Sequence, residues 1–525
     1  MRTRRIVLGL LVALALIAAA CGSDDDNGGG TTDDTQVDTR EAISGGTATI
    51  LGPEVRSLDP ALVINSTTQG SSTINAIYDT LYTINTETDS IEPRIATDFT
   101  SEDGITWTMT LRDDVMFSDG TPLNAEAVLF NWQRTIDNPR AAANGQMFQV
   151  ESLAAPDDTT FVVTLNQVNW QYWRGIPINS LTWIASPASI EAAGEDFGNT
   201  ANVVGAGPFK VTSRTPNSET VFERNEDYWQ EGLPKLDGFT FRPVADQQQV
   251  TDTVVTGGAD ASFWVGQNLA SQAVDSGMRS VTVDNLQGGT SLLFNQNKPP
   301  FDNVKAREAV TKALDIDQML EQVFFSANDP MSTMFREDSP FYNPDMTFAG
   351  YNSEEAQQLF DELAQENGGP LVFDMAVSTN SENNALMRQL QTQLTQYENV
   401  EASVNTIDGP NYGITLFTGE FNLALYAVAS PDPEPNFTQF WDEYPIPISH
   451  LMSDQANQAI IDGREATDEA GRKEAYDSLQ EVLVNEFPQL WMYRNDQSAI
   501  YQPNMTGMWG YGQGSFMIDT FGFVE

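Results

Sequence analysis

One cysteine and one histidine supply all the thiol and imidazole chemistry available to this 525-residue chain. Cys21 has no partner for an internal disulfide, and one residue of each type cannot build a cysteine-based zinc or iron–sulfur centre. His450 stands in Ile448-Ser449-His450-Leu451, beside apolar neighbours, and no Gly-x-Ser-x-Gly elbow offers it a nucleophile to activate. A structural histidine, no metal and no cofactor are expected. The 74 Asp and Glu keep one acid–base chemistry open, carboxylate-pair hydrolysis of the glycosidase type, but their abundance makes any single pair uninformative.

The same acids set the partners. A formal charge of −48, with 26 Lys and Arg, repels phosphate backbones and anionic lipid surfaces, so nucleic acid is excluded as a partner. So acidic a surface, with six lysines, would also stay hydrated in concentrated salt.

The N-terminus reads as an address. Arg2, Arg4 and Arg5 precede the apolar run Ile6–Ala20, which is short for a membrane span and leads into Cys21 and a polar tract. Residues 1–20 are expected to be a signal peptide. Ala18-Ala19-Ala20-Cys21 resembles a lipobox, which implies a lipid on Cys21 and membrane attachment through that lipid alone. Thr3-Arg4-Arg5-Ile6-Val7-Leu8 also resembles a twin-arginine signal, so the export route stays open. Residues 21–45, rich in Gly, Asp and Thr, have too little apolar surface to offset their ordering entropy and read as a disordered tether.

The elements that position any site begin at residue 46. A chain of this length holds more than one core. Strands are expected at 46–51, 106–111, 159–165, 238–242, 291–295, 371–376 and 421–427, from alternation and β-branched or aromatic enrichment. Helices are expected after Asn124, over Val304–Ala313, after the Asn352/Glu355 capping pair, and over 385–397 and 468–485. No period of 20–50 residues recurs, which argues against a solenoid or propeller. Mixed α/β lobes follow.

Ordered blocks then carry a resemblance. Ser57-Leu58-Asp59-Pro60-Ala61, Ile91-Glu92-Pro93-Arg94-Ile95-Ala96, the run Trp107 to Arg134 with its Asp119-Gly120 turn, Gly205-Ala206-Gly207-Pro208-Phe209, Asn225 to Trp229, Phe294-Asn295 to Ala309, and Arg472 to Tyr476 together resemble the family 5 extracellular solute-binding proteins, the peptide/nickel-type receptors of ABC importers. The resemblance implies an α/β fold of the class II periplasmic-binding-protein type, with two hinge-connected lobes and an additional domain. It divides the chain into 46–84, 205–290 and 495–525 as lobe I, 85–204 as its additional domain, and 291–494 as lobe II. It further implies an extracytoplasmic monomer that is no enzyme and passes a small solute, peptide or oligosaccharide, to the membrane subunits of an ABC permease. A secreted carboxylate-dependent hydrolase and a sensor or adhesin binding protein remain as alternatives.

In such receptors the ligand lies between the lobes, so aromatics and carboxylates in loops are the candidate contacts. They are Asn65, Ser66 and Thr67 after the first strand; Phe263 and Trp264; Asn295, at the expected passage into lobe II; and Tyr426 and Asp432 in the segment that, in peptide-binding members, holds the ligand's amine. Ala429 stands where oligopeptide binders have an aspartate, which puts that amine site in doubt. Asn383, Asn384 and Ala385 occupy the vicinity of a carboxylate-binding arginine of dipeptide-type members, which makes a dipeptide less expected than a longer peptide or an oligosaccharide.

Overall fold

The computed structural model describes residues 40–63, 70–85, 90–138, 141, 144–284, 286–324, 328–441, 448, 451, 453–494, 496–512 and 514–525. Cys21, Asn65, Ser66, Thr67 and His450 lie outside them. Three sheets organise the rest. A seven-stranded sheet runs Arg279–Val283, Gln497–Tyr501, Ala261–Val265, Thr47–Gly52, Gly238–Pro243, Glu219–Arg224, Phe209–Thr215. The central Thr47–Gly52 pairs in parallel with both neighbours, and the aromatics facing inward hold the lobe: Phe222 stacks on Phe239 at 4.2 Å, and Phe263 packs against Phe239 and Phe241.

The second lobe is built on five strands in the order Val400–Ile407, Leu371–Ser378, Leu423–Ser430, Gln287–Phe294, Gln489–Tyr493. Helices Val304–Ala313, Ile316–Phe324, Ser353–Asn367 and Ser381–Leu394 bury their apolar stripes on it. Every residue of Gln287–Phe294 is buried, Gly288 and Gly289 included. That explains why only its last residues carry a strand pattern: a strand covered on both faces need not alternate.

The additional domain is a four-stranded antiparallel sheet, Ala96–Ser101, Thr106–Leu111, Thr160–Leu165, Val150–Ala154. Trp107, Met109 and Leu111 point inward, opposite Phe161, Val163 and Leu165, while the threonines between them face out. Helix Ala125–Asp137 begins where Asn124 accepts the Ala127 N–H, and its Trp132 meets Phe161 edge-on at 5.0 Å.

Two ion-pair networks, one partly and one fully buried, bind this domain to the first lobe. Arg134 grips Asp59 through both guanidinium nitrogens. Arg94 donates to Asp79 at 2.7 Å, to Asp519 at 3.1 Å and to the Tyr228 hydroxyl at 2.8 Å, while Tyr228 and Trp229 donate to Asp79 in turn. Burial alone would lower the pKa of Arg94, but Asp79, Tyr228 and Asp519 outweigh it and raise it, so the guanidinium stays charged. Gly205 and Gly207 pass so close to the last turn of helix Ser71–Tyr78 that a Cβ would stand 2.1 and 2.5 Å from Ile77 backbone atoms, and Asn225 bonds Gly207 and Pro208. The blocks around 57–61, 91–96, 205–209 and 225–229 thus converge on one junction and join the chain there.

Candidate functional site

The chain crosses between the lobes twice. It leaves the first at Val283 and enters the second at Gln287; it returns from Tyr493 to Gln497. Val283 pairs with Gln497 on one side and Thr290 with Tyr493 on the other, so the crossings run side by side in opposite directions. Ser430 pairs with Gln287, the first strand residue after the crossing. The carboxyl end of Leu423–Ser430 therefore faces the interlobe side, as do those of its parallel companions Leu371–Ser378 and Val400–Ile407. In open α/β sheets this is the edge where ligands bind.

The expected contacts separate against that frame. Trp264 stands on the first-lobe strand where the pairing slips between Ser262 and Val265, is partly exposed, and donates its indole N–H to Gln497 beside the second crossing. Tyr426 is also partly exposed, midway along the strand that ends at the interlobe edge. Phe263 is 2% exposed and belongs to the first-lobe core; the stack on Phe241 leaves its ring no free face for a solute. Asn295 fails for two reasons. It follows the far end of Gln287–Phe294, about 25 Å along the strand from the crossing, and its amide is spent on the Gly419 and Phe421 carbonyls at 2.8 and 2.9 Å.

Asp432 has another occupation than an amine site. Its carboxylate accepts from Arg472 at 2.6 Å, lies 3.5 Å from Arg174 and caps the Glu434 N–H at 3.0 Å. Glu434, 3% exposed, makes a forked pair with Arg464 and accepts from Asn169. Arg174 and Asn169 belong to the additional domain; Asp432, Glu434, Arg464 and Arg472 belong to the second lobe. The segment closes these two bodies on each other, helped by Gln171 donating to the Ala466 carbonyl and Trp170 N–H to that of Arg464. Burial, and then Arg472 beside it, pull the Arg174 pKa down against the pull of Asp432.

Sequence reasoning missed Glu382. It lies in the first turn of Ser381–Leu394, a helix that starts four residues earlier than the apolar stripe suggests because Asn380 caps it through the Asn383 N–H. Its surface is open, yet loss of solvation raises its pKa. It stands just beyond the carboxyl end of Leu371–Ser378. The signal was available: an acid at the second position of a capped helix that follows a buried parallel strand. Among the described residues no cluster of His, Cys, Asp and Glu is placed to hold a metal.

Comparison with known proteins agrees with this architecture. Residues 90–446 match the model for bacterial extracellular solute-binding proteins, family 5 Middle. The glutathione-binding protein GsiB of Escherichia coli (strain K12) is 25% identical over 429 residues, covering 78% of this chain and 81% of that protein. The Helicobacter pylori periplasmic binding protein DppA, solved with the peptide STSA, superposes with a TM-score of 0.80 at 20% identity, over 93% of this chain and 99% of that one. AgaA from A. tumefaciens R10, solved with agropinic acid, gives 0.80 at 19% identity over 91% and 99%. The chain belongs to the bacterial extracellular solute-binding proteins of family 5, the substrate-binding components of ABC importers, which act outside the cytoplasm and bind solutes without converting them.

Proposed function

We propose that this protein captures a small peptide-like solute between its lobes and hands it to a membrane permease, acting as a monomer held to the membrane by a lipid on Cys21. One observation carries the reading: Trp264 and the exposed Glu382 lie on opposite lobes at the edge the two crossings join, while Asp432 is withdrawn into ion pairs. Glu382 makes no hydrogen bond or ion pair among the described residues. It suits a ligand ammonium, since a charge-assisted N–H···O bond is roughly twice as strong as a neutral one. Trp264 and Tyr426 then take an apolar side chain. An oligosaccharide could stack on Trp264 but would give Glu382 no cation, which favours the peptide. The names of the relatives, with glutathione and the peptide STSA among them, support the same class.

The test is denaturing mass spectrometry of what a natively purified sample releases, beside a buffer blank, followed by titration calorimetry with the compounds found. Released peptides whose affinity falls on N-acetylation agree with the proposal. A saccharide, or a peptide bound equally well when acetylated, would overturn the ammonium site.

A further inference from the structure

The hinge carries a device that the capture reading does not need. Arg336, in the loop after helix Ile316–Phe324, reaches both crossings. Its Nε donates to the Leu286 carbonyl at 3.0 Å on the outgoing one, and Nη2 donates to the Asp496 carboxylate on the returning one. Its own N–H is held by the Gln287 side chain at 2.8 Å, so its backbone moves with the second lobe. The ground on that side is firm. Arg494, 6% exposed, donates to the carbonyls of Gly288, Thr333, Met334 and Phe335. A Cβ on Gly288 would stand 2.2 Å from the Val428 carbonyl oxygen.

We propose that Arg336 is the positioning residue of the hinge: it fixes the angle between the lobes by clamping Leu286 and Asp496 together, and loss of the Asp496 charge releases the clamp. The groups facing Asp496 are Arg336 and Arg494, which favour its charged form, and Asp284 and Asp329, which oppose it. Its side chain is 7% exposed. Burial first, and then those two carboxylates against the pull of Arg336, push its pKa up to about 6. A proton on Asp496 cancels its ionic attraction to Arg336 and leaves a hydrogen bond to a neutral acid, so it loosens the clamp.

The sign of the linked stability separates loosening from unfolding. A carboxyl whose folded pKa exceeds its unfolded value of about 3.9 holds a proton in the native state that the unfolded chain releases. It therefore stabilises the fold below that unfolded value, and the contribution is lost as pH rises through about 6. Acidification from pH 7.5 to 5 loosens the hinge while this group makes the fold more stable. Acid unfolding would broaden the distances too, but with stability falling instead of rising.

Spin labels on Glu191→Cys in the additional domain and Glu401→Cys in the second lobe, both exposed, in a full-length chain carrying Cys21→Ser, report the interlobe distance by pulsed electron resonance. The expected result is a distribution that broadens and moves outward on acidification, with a one-proton midpoint near pH 6. Asp496→Asn shows the broad distribution at every pH. Arg336→Lys keeps the charge but loses the fork and titrates with smaller amplitude, whereas Arg336→Gln does not titrate. A parent protein whose distances ignore pH overturns the proposal without any variant, and so does an Asp496→Asn protein that titrates like the parent.

Discussion

Replacing Arg94 with methionine removes the cation from the junction of Asp79, Asp519 and Tyr228 and fills its space with an apolar chain. Breaking a buried pair by deleting one partner costs about 3–5 kcal/mol, because the remaining charge stays buried. The lower figure applies here. Asp79 keeps Tyr228, Trp229 and the Thr80 N–H at 2.7–2.8 Å, and Asp519 keeps Trp509 and the Thr520 N–H at 3.0 Å. Unfolding entropy of about 2.1 cal/mol/K per residue makes about 1 kcal/mol/K for the whole Arg40–Glu525 unit, so a cooperative melt shifts by about 3 °C. If the additional domain, roughly a quarter of the chain, melts alone, the same loss moves its own transition by about 12 °C. Differential scanning calorimetry reads both cases. Asp519→Asn added to Arg94→Met recovers part of the loss, since one buried carboxylate fewer is left uncompensated. A single variant melting within about 1 °C of the parent would refute the account of the junction.

Four further substitutions test the binding edge, the domain contact and the address. Glu382→Gln keeps the shape of the side chain and removes its charge; affinity for the solute recovered from the native protein falls at least about tenfold, with the melting temperature held, in calorimetric titration. Trp264→Ala weakens the same titration about three- to tenfold, the worth of an aromatic contact, and an unchanged affinity would remove the indole from the site. Asp432→Asn acts on stability instead. Arg472 and Arg174 lose their shared anion, the melting temperature drops, and proteolysis between the additional domain and the second lobe quickens. Cys21→Ala abolishes incorporation of an alkynyl fatty-acid label and releases the protein from membranes, as followed by in-gel fluorescence of cell fractions.

Local rules were legible in the sequence wherever they depend on near neighbours. The strand 106–111, the caps Asn124 and Asn352 with the helices they open, and the helix expected over 468–485 stand where side-chain type and period put them. The ordered motif blocks gave the family but not the reason for their presence. Asp59 with Arg134, and Arg94 with Tyr228, meet only in three dimensions, and there they join domains. The passage between lobes was misplaced at Asn295 because the true entry, Gln-Gly-Gly-Thr-Ser, has neither apolar period nor bulk; its burial comes from strands far along the chain. Asp432 drew attention as a carboxylate in a proline-rich turn, and nothing near it in sequence announces Arg174. The position of Glu382 above a strand end was open to inspection, since Asn380 and the buried Leu371–Ser378 run predict where that helix begins.

The two crossings lying side by side have a mechanical consequence. A lobe hung on one extended strand can swing, twist and tilt. Hung on two strands about 4.8 Å apart and hydrogen-bonded to their neighbours on both sides, it resembles a door on two knuckles, with one easy rotation about a line across them. Closing around a solute then becomes a search along a single coordinate. Partners of different size stop that rotation at different points on one arc, so a membrane subunit that recognises the shut receptor has one path of approach to read rather than a family of shapes.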